Sequence, residues 1–250
     1  MQLLSYSERG FINAFFYGVF HQPNPSEIIR EFLKLAHWPL LDARPSMIET
    51  ATVDTILIEQ SFSDFGDADV LILVSTAQEK VAVFCEAKRG KWKLKKEWSK
   101  FKTRFQNDDA GDESNVFRQL YYKQRMAQGY AAGEDLDTGI EFDGVLRPVR
   151  GTRCRKIGKN KVVLKAADKL TRYVTSTYYL ILTPEPWGDE TGAALQEARD
   201  FGPAPNDPRP REWDINRWGV VSLRDMVQLC RDRHLDHAAD VADFNDGQLF

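Results

Sequence analysis

Two short apolar runs, Val70–Val74 and Val81–Ala87, limit what this chain can fold into more than any other feature. Each has the length of a strand, and Gln78–Glu79–Lys80 between them reads as a turn. Neither run alternates apolar with polar residues, so both faces of the pair must be covered. A central sheet packed by helices on its two sides satisfies that demand, and the expected fold class is α/β. The β-branched run Thr52–Ile58, the run Tyr178–Leu182 stopped by Thr183–Pro184–Glu185–Pro186, and Trp218–Ser222 supply further strands.

Helical periodicity surrounds these strands. Residues 5–20 carry Phe11, Phe15 and Val19 at i, i+4 and i+8, with Ser5 and Glu8 spaced as a capping box. Residues 26–37 follow two prolines and present Ile28, Phe32 and Leu35 on one face. Leu94, Trp98, Phe101 and Phe105 mark a helix over 91–105; Phe117, Leu120, Tyr121 and Ala127 mark another over 115–130. Leu223–Arg233 reads as a helix after the last strand. One domain over 1–250 is expected, with loop insertions near 106–115, 131–160 and 184–212. The last of these holds Pro203, Pro205, Pro208 and Pro210.

The ends of the two apolar strands carry the chemistry. Asp69 opens the first, and Glu86 and Lys88 close the second seventeen and nineteen residues later. Residues i and i+2 of a strand share a face, so Glu86 and Lys88 point together while Ala87 points away. If the strands pair through the turn near residue 79, Asp69 comes close to both. Two carboxylates at one spot suit a hard divalent cation such as Mg²⁺. A lysine beside them can orient a water and offset charge on a phosphate, the set needed for in-line attack on a phosphodiester. The plain alternative is a structural salt bridge at a sheet edge, with Asp69 as a turn residue. Asp67 rivals Asp69 because both point the same way if the strand begins early; the apolar run starts directly after Asp69, which favours Asp69.

This arrangement, D-x₁₆-E-x-K across two strands with a Glu-bearing helix before it and a helix after it, resembles the PD-(D/E)XK nuclease superfamily, the restriction-endonuclease-like proteins. The resemblance runs from Ser5 to about Lys123. It implies a restriction-endonuclease-like core with a central mixed sheet flanked by helices. It also implies an Mg²⁺-dependent nuclease, with Mn²⁺ as a substitute and DNA as the favoured substrate, in the company of restriction and phage-defence enzymes. Asp69 and Glu86 would be metal ligands, with the Ala87 carbonyl as a further ligand and Lys88 as the catalytic lysine. Ser7–Glu8–Arg9–Gly10–Phe11–Ile12–Asn13–Ala14 is similar to the first-helix motif of some bacterial members, which places Glu8 near the metal; the capping box alone also explains Glu8. Gln119, in Phe117–Arg118–Gln119–Leu120–Tyr121–Tyr122–Lys123, matches a Gln with a nearby Tyr on the helix after the core strands, and Lys123 is a weaker candidate. Ala68 stands where the family's name has proline. A nucleic-acid-binding module of the same fold without catalysis, and a protein-interaction scaffold with structural carboxylates, are the competing readings.

The net charge is −3, so any nucleic-acid surface has to be local. Residues 88–105 hold nine Lys or Arg against Glu97, and residues 147–172 hold ten against Asp168. The first stretch begins at Lys88 itself and is preferred, with Lys93, Lys96, Lys100 and Arg104 as the phosphate contacts. Trp92 either stacks on a base or packs in the core. Cys85, Cys154 and Cys230 lack metal-like spacing and read as free thiols of a reducing compartment. His234 and His237, among several Asp, read as a solvated helix or tail rather than a metal site. The N-terminus has no basic region leading into an apolar run, and the apolar segment Phe11–Phe20 is too short for a bilayer. A cytoplasmic protein with nucleic acid as its partner, no membrane association and room for a homodimer is the expectation.

Overall fold

The computed structural model describes residues 7–90, 93–106, 115–136, 140–141, 154–184, 186–200 and 215–249. The chain begins with the helices α1 (Ser7–Phe20), α2 (Pro25–Lys34) and α3 (Met47–Thr50). Strand β1 (Thr52–Ser61) leads through a 3-10 turn, Ser63–Phe65, into β2 (Asp67–Ser75) and β3 (Lys80–Ala87). Helices α4 (Leu94–Gln106) and α5 (Val116–Ala131) follow, then the two-residue strands β4 (Ile140–Glu141) and β5 (Cys154–Arg155) and helix α6 (Lys161–Thr171). Strand β6 (Ser176–Thr183), α7 (Asp189–Asp200), β7 (Trp218–Ser222), α8 (Leu223–Asp232), α9 (Asp236–Phe244) and α10 (Asp246–Leu249) complete the order.

The main sheet is mixed and five-stranded, in the order β1-β2-β3-β6-β7. β1, β2 and β3 form an antiparallel meander; β6 joins β3, and β7 joins β6, in parallel. β2 and β3 are the two apolar runs, and their unbroken hydrophobicity has the expected cause. Val81, Val83, Cys85 and Ala87 pack on the side of α1, α2, α8 and α9, whereas Ala82 and Phe84 pack on the side of α4, α5, α6 and α7. Burial on both faces removes any reason for a polar residue until the strand ends.

Several expectations need correction. β2 starts at Asp67 rather than after Asp69, so both acids belong to the strand. β1 continues three residues past Ile58, to Ser61. The proline-rich stretch read as an insertion over 184–212 contains α7, whose Ala194, Leu195 and Ala198 are buried and whose first turn bears Asp189 and Glu190. Acids in a first turn face the positive end of the helix dipole. The basic stretch 147–172 contains α6, capped by the Asn160 side chain accepting from the Val162 N–H. No helix among the described residues is long and apolar enough to cross a membrane. Ser5, Trp92, and residues 107–114, 142–153 and 201–212 fall outside the described residues.

Candidate active site

The site lies where β2 begins and β3 ends. The last registered pair of these strands is Val70 with Cys85, which makes Asp69 and Glu86 the next step along the ladder. There the backbone pairing gives way to a side chain: Asp69 Oδ2 accepts the Ala87 N–H at 2.8 Å. The carboxylate thus docks on the residue between Glu86 and Lys88. A strand residue sends its N–H and C=O to the same side, so the Ala87 carbonyl also leaves toward β2. The Lys88 N–H is held on the other side by the Leu182 carbonyl, at 2.8 Å.

Glu86 and Lys88 share the face toward α5. That helix starts firmly: Asn115 accepts from the N–H groups of Phe117 and Arg118, and its amide donates to the Glu97 carbonyl and carboxylate. One turn apart on α5, Gln119 and Lys123 look down on the end of β3. Lys88 Nζ donates to Gln119 Oε1 at 2.6 Å. Lys123 Nζ stands 3.0 Å from Glu86 Oε1, with both side chains buried. The two form a buried ion pair at hydrogen-bond distance, although the angles fall short of strict alignment.

Burial pushes the Glu86 carboxyl up to about 7; Lys123 opposes this, and the Asp69 carboxylate adds to it. The same burial, with Glu86 and Asp69 alongside, drives the Cys85 thiol up and keeps it protonated. Cys85 is therefore a small apolar core residue on the opposite face, not a nucleophile. Gly66, at φ 79 and ψ 177, turns the chain into β2 in a region essentially reserved for glycine. A Cβ there would come within 3.3 Å of Lys123 Nζ, so the glycine also leaves room for the buried ammonium.

The structure brings together Asp69, Glu86, Ala87, Lys88 and Gln119. Glu8 is in the first turns of α1, next to Arg9, whose Nε is 3.8 Å from Asp69 Oδ1; the Glu8 side chain is outside the described residues. Asp67 is exposed at the first position of β2, paired across the ladder with Ser61. Arg9 and Lys123 are the residues that sequence reasoning undervalued. The signal for Lys123 is weak: it falls four after Gln119, one helical turn along the same face of α5.

The basic helix α4 leans away from this point. Trp98 and Phe101 contact the Phe117 ring, which stacks on Trp218 of β7, so α4 covers the β6–β7 half of the sheet. Lys93, Lys96 and Lys100 are exposed, but Lys100 Nζ donates to Glu97 Oε1 at 2.8 Å. Arg104 is on α4, with its side chain outside the described residues. His234 and His237 are exposed, at the end of α8 and on α9. Cys85 and Cys230 are free and buried.

No group of three or more His, Cys, Asp or Glu side chains fit to hold a metal occurs among the described residues. Mg²⁺ asks for less, since it is commonly held through one or two carboxylates and keeps several waters. Asp69, Glu86 and the Ala87 carbonyl are a donor set of that kind, with the Lys123 ammonium already 3.0 Å from one Glu86 oxygen. Comparison with protein-family models, with curated proteins and with solved structures finds no match.

Proposed function

We propose that this chain is a divalent-metal-dependent nuclease with a restriction-endonuclease-like core of the PD-(D/E)XK type, acting on nucleic acid with DNA favoured, in a restriction or phage-defence setting. The observation that carries the reading is the docking of Asp69 onto the Glu86–Ala87–Lys88 segment through the Ala87 N–H. It supports one acid–acid–lysine centre rather than three unrelated strand-end charges. Mg²⁺ or Mn²⁺ bound by Asp69, Glu86 and the Ala87 carbonyl would polarise a phosphoryl oxygen and acidify a water.

The protein's own part follows from the neighbours of each group. Lys88 is half-buried and fixed by Gln119, so its ammonium is presented in one place instead of sweeping freely. There it offsets the negative charge that grows on the phosphate as water attacks phosphorus and the bridging P–O bond breaks. Gln119 accepts from Lys88 and so is a positioning residue. Glu97 and Asn115 act one step further back by fixing the start of α5.

The test is incubation with Mg²⁺ or Mn²⁺ and a panel of circular, linear, double- and single-stranded DNA and RNA. Metal-dependent cleavage is expected, lost in EDTA. Absence of cleavage on every substrate, by protein that binds nucleic acid, would leave the second reading: a binding module of this fold without catalysis. The Lys123–Glu86 ion pair favours that alternative, because the carboxylate already has a buried counter-charge.

A further inference from the structure

Beside the candidate centre a basic strap crosses the 3-10 turn that leads into β2. Its backbone is fastened there at several points. The Lys156 N–H donates to Asp64 Oδ2 at 3.2 Å, the Asp64 N–H donates to the Lys156 carbonyl, and the Gly158 N–H donates to Ser63 Oγ at 2.8 Å. The Arg155 guanidinium donates to the Asp64 carbonyl and lies over the Tyr122 ring, 3.7 Å from its centroid. Tyr122 directly precedes Lys123. The strap is therefore tied both to the turn that positions Asp69 and to the helix that carries Gln119 and Lys123.

From this anchored base Lys156, Lys159, Lys161 and Lys165 project as exposed side chains, and none forms an ion pair with an acid among the described residues. Asp168, the acid further along α6, pairs with Arg172. Asp64 subtracts one charge from the strap, with its carboxylate turned to the Lys156 backbone. On α4, Lys93, Lys95 and Lys96 are exposed in the same way, but Lys100 is held by Glu97 and Lys102 by Glu197. A phosphate must break such pairs before it can use those lysines, whereas the strap lysines exchange only water and counterions.

The placement is complementary. α4, α5 and α6 share one layer, with α5 in contact with both of the others, and α6 also packs on β1. The centre at the β2–β3 strand ends thus has α4 on its β7 side and the strap on its β1 side. We infer that the strap through Lys156, Lys159, Lys161 and the first turn of α6 is a phosphate-backbone contact that holds nucleic acid on the β1 flank of the centre. The inference rests on the nuclease reading and assigns to this flank an electrostatic grip of its own, beside that of α4. It calls for no base-specific contact, since lysines on phosphates position a strand without reading it.

The experiment is the binding of fluorescently labelled duplex and single-stranded oligonucleotides over a series of KCl concentrations, with Ca²⁺ in place of Mg²⁺. The variants are Lys156→Ala/Lys159→Ala/Lys161→Ala, the corresponding triple Arg variant, and Lys93→Ala/Lys96→Ala on α4. The triple Ala variant should bind more weakly at low salt, with the slope of log affinity against log salt flattened by roughly 2 to 3. The triple Arg variant should keep the wild-type slope, and the slope lost per lysine in the triple Ala variant should be at least that lost per lysine in the α4 variant. Binding by the wild type with an unchanged slope in the triple Ala variant would overturn the strap and leave the nuclease reading standing. Failure of the wild type to bind any nucleic acid at low salt would overturn both.

Discussion

Lys123 Nζ stands 3.0 Å from Glu86 Oε1, and each side chain is 1% exposed. Two charged groups so deeply buried are costly unless each satisfies the other, and losing one partner commonly costs about 3–5 kcal/mol. The pair sits at the centre of the candidate site, so its energetics and its function can be examined with the same variants.

Lys123→Met should destabilise the metal-free protein by about 3 kcal/mol when Glu86 is ionised, and by less when Glu86 is protonated. The sign follows from burial. The Glu86 carboxyl is raised from 4.5 to about 7 in the folded protein, so its contribution to stability is complete below 4.5 and is lost as pH rises through about 7. Removing Lys123 takes away the group that opposes this rise, so the loss extends to higher pH and grows. Urea unfolding on either side of that range would show it, and Glu86→Gln in the Lys123→Met background should recover most of the stability at the higher pH. An equal loss at both pH values would mean that packing, not charge, accounts for the effect.

Lys88→Ala should lower cleavage by about 10²-fold or more with no loss of folded content, because the side chain is half-buried and, among the described residues, its hydrogen bond is to Gln119. Gln119→Ala should lower it less, since Lys88 keeps its charge and loses only its fixed direction. Single-turnover rates at matched circular dichroism make the comparison. If Lys88→Ala cleaves like wild type, the lysine belongs to a structural bridge and the catalytic assignment fails.

Much of this layout was legible in the residues, for identifiable reasons. β2 and β3 are covered on both faces, so their apolar runs stand out. Asp69, Glu86 and Lys88 break those runs at positions where a buried strand tolerates charge only if it is paired or used. The rest depended on contacts distant in sequence. Nothing near Lys123 says that a lysine between Tyr122 and Gln124 is buried, because its partner comes from β3 and the space for it comes from Gly66. α7 is hard to see in the sequence because prolines crowd both sides of it within 184–212, although Asp189–Asp200 has none. The basic stretches look alike in composition; the pairing of Lys102 with Glu197 is invisible there, because Glu197 comes from α7, far along the chain.

Asp69→Asn should weaken Mg²⁺ binding more than Asp67→Asn. Both acids belong to β2, but Asp69 is the one whose carboxylate meets Ala87, while Asp67 is exposed at the strand's first residue. Removing a ligand from a two-carboxylate site takes away half of the anionic charge that holds a hard cation. Calorimetric titration of both variants decides the order, and the reverse order would move the ligand role to Asp67.

Metal binding should itself depend on pH in a way that identifies Glu86. A carboxylate must shed its proton to become a ligand, so binding and deprotonation are linked. With Glu86 at about 7 in the metal-free protein, apparent Mg²⁺ affinity should rise with pH and level off above that value. Below it the rise should approach about tenfold per pH unit, with close to one proton released per ion bound. Titrations in two buffers of different ionisation enthalpy count that proton directly. Lys123→Met supplies the internal control: Lys123 lowers the Glu86 value, so its loss should move the inflection to higher pH. Mg²⁺ binding with a flat pH profile and no proton release would exclude Glu86 as the ligand that titrates. An inflection unmoved by Lys123→Met would detach the buried ammonium from the metal centre.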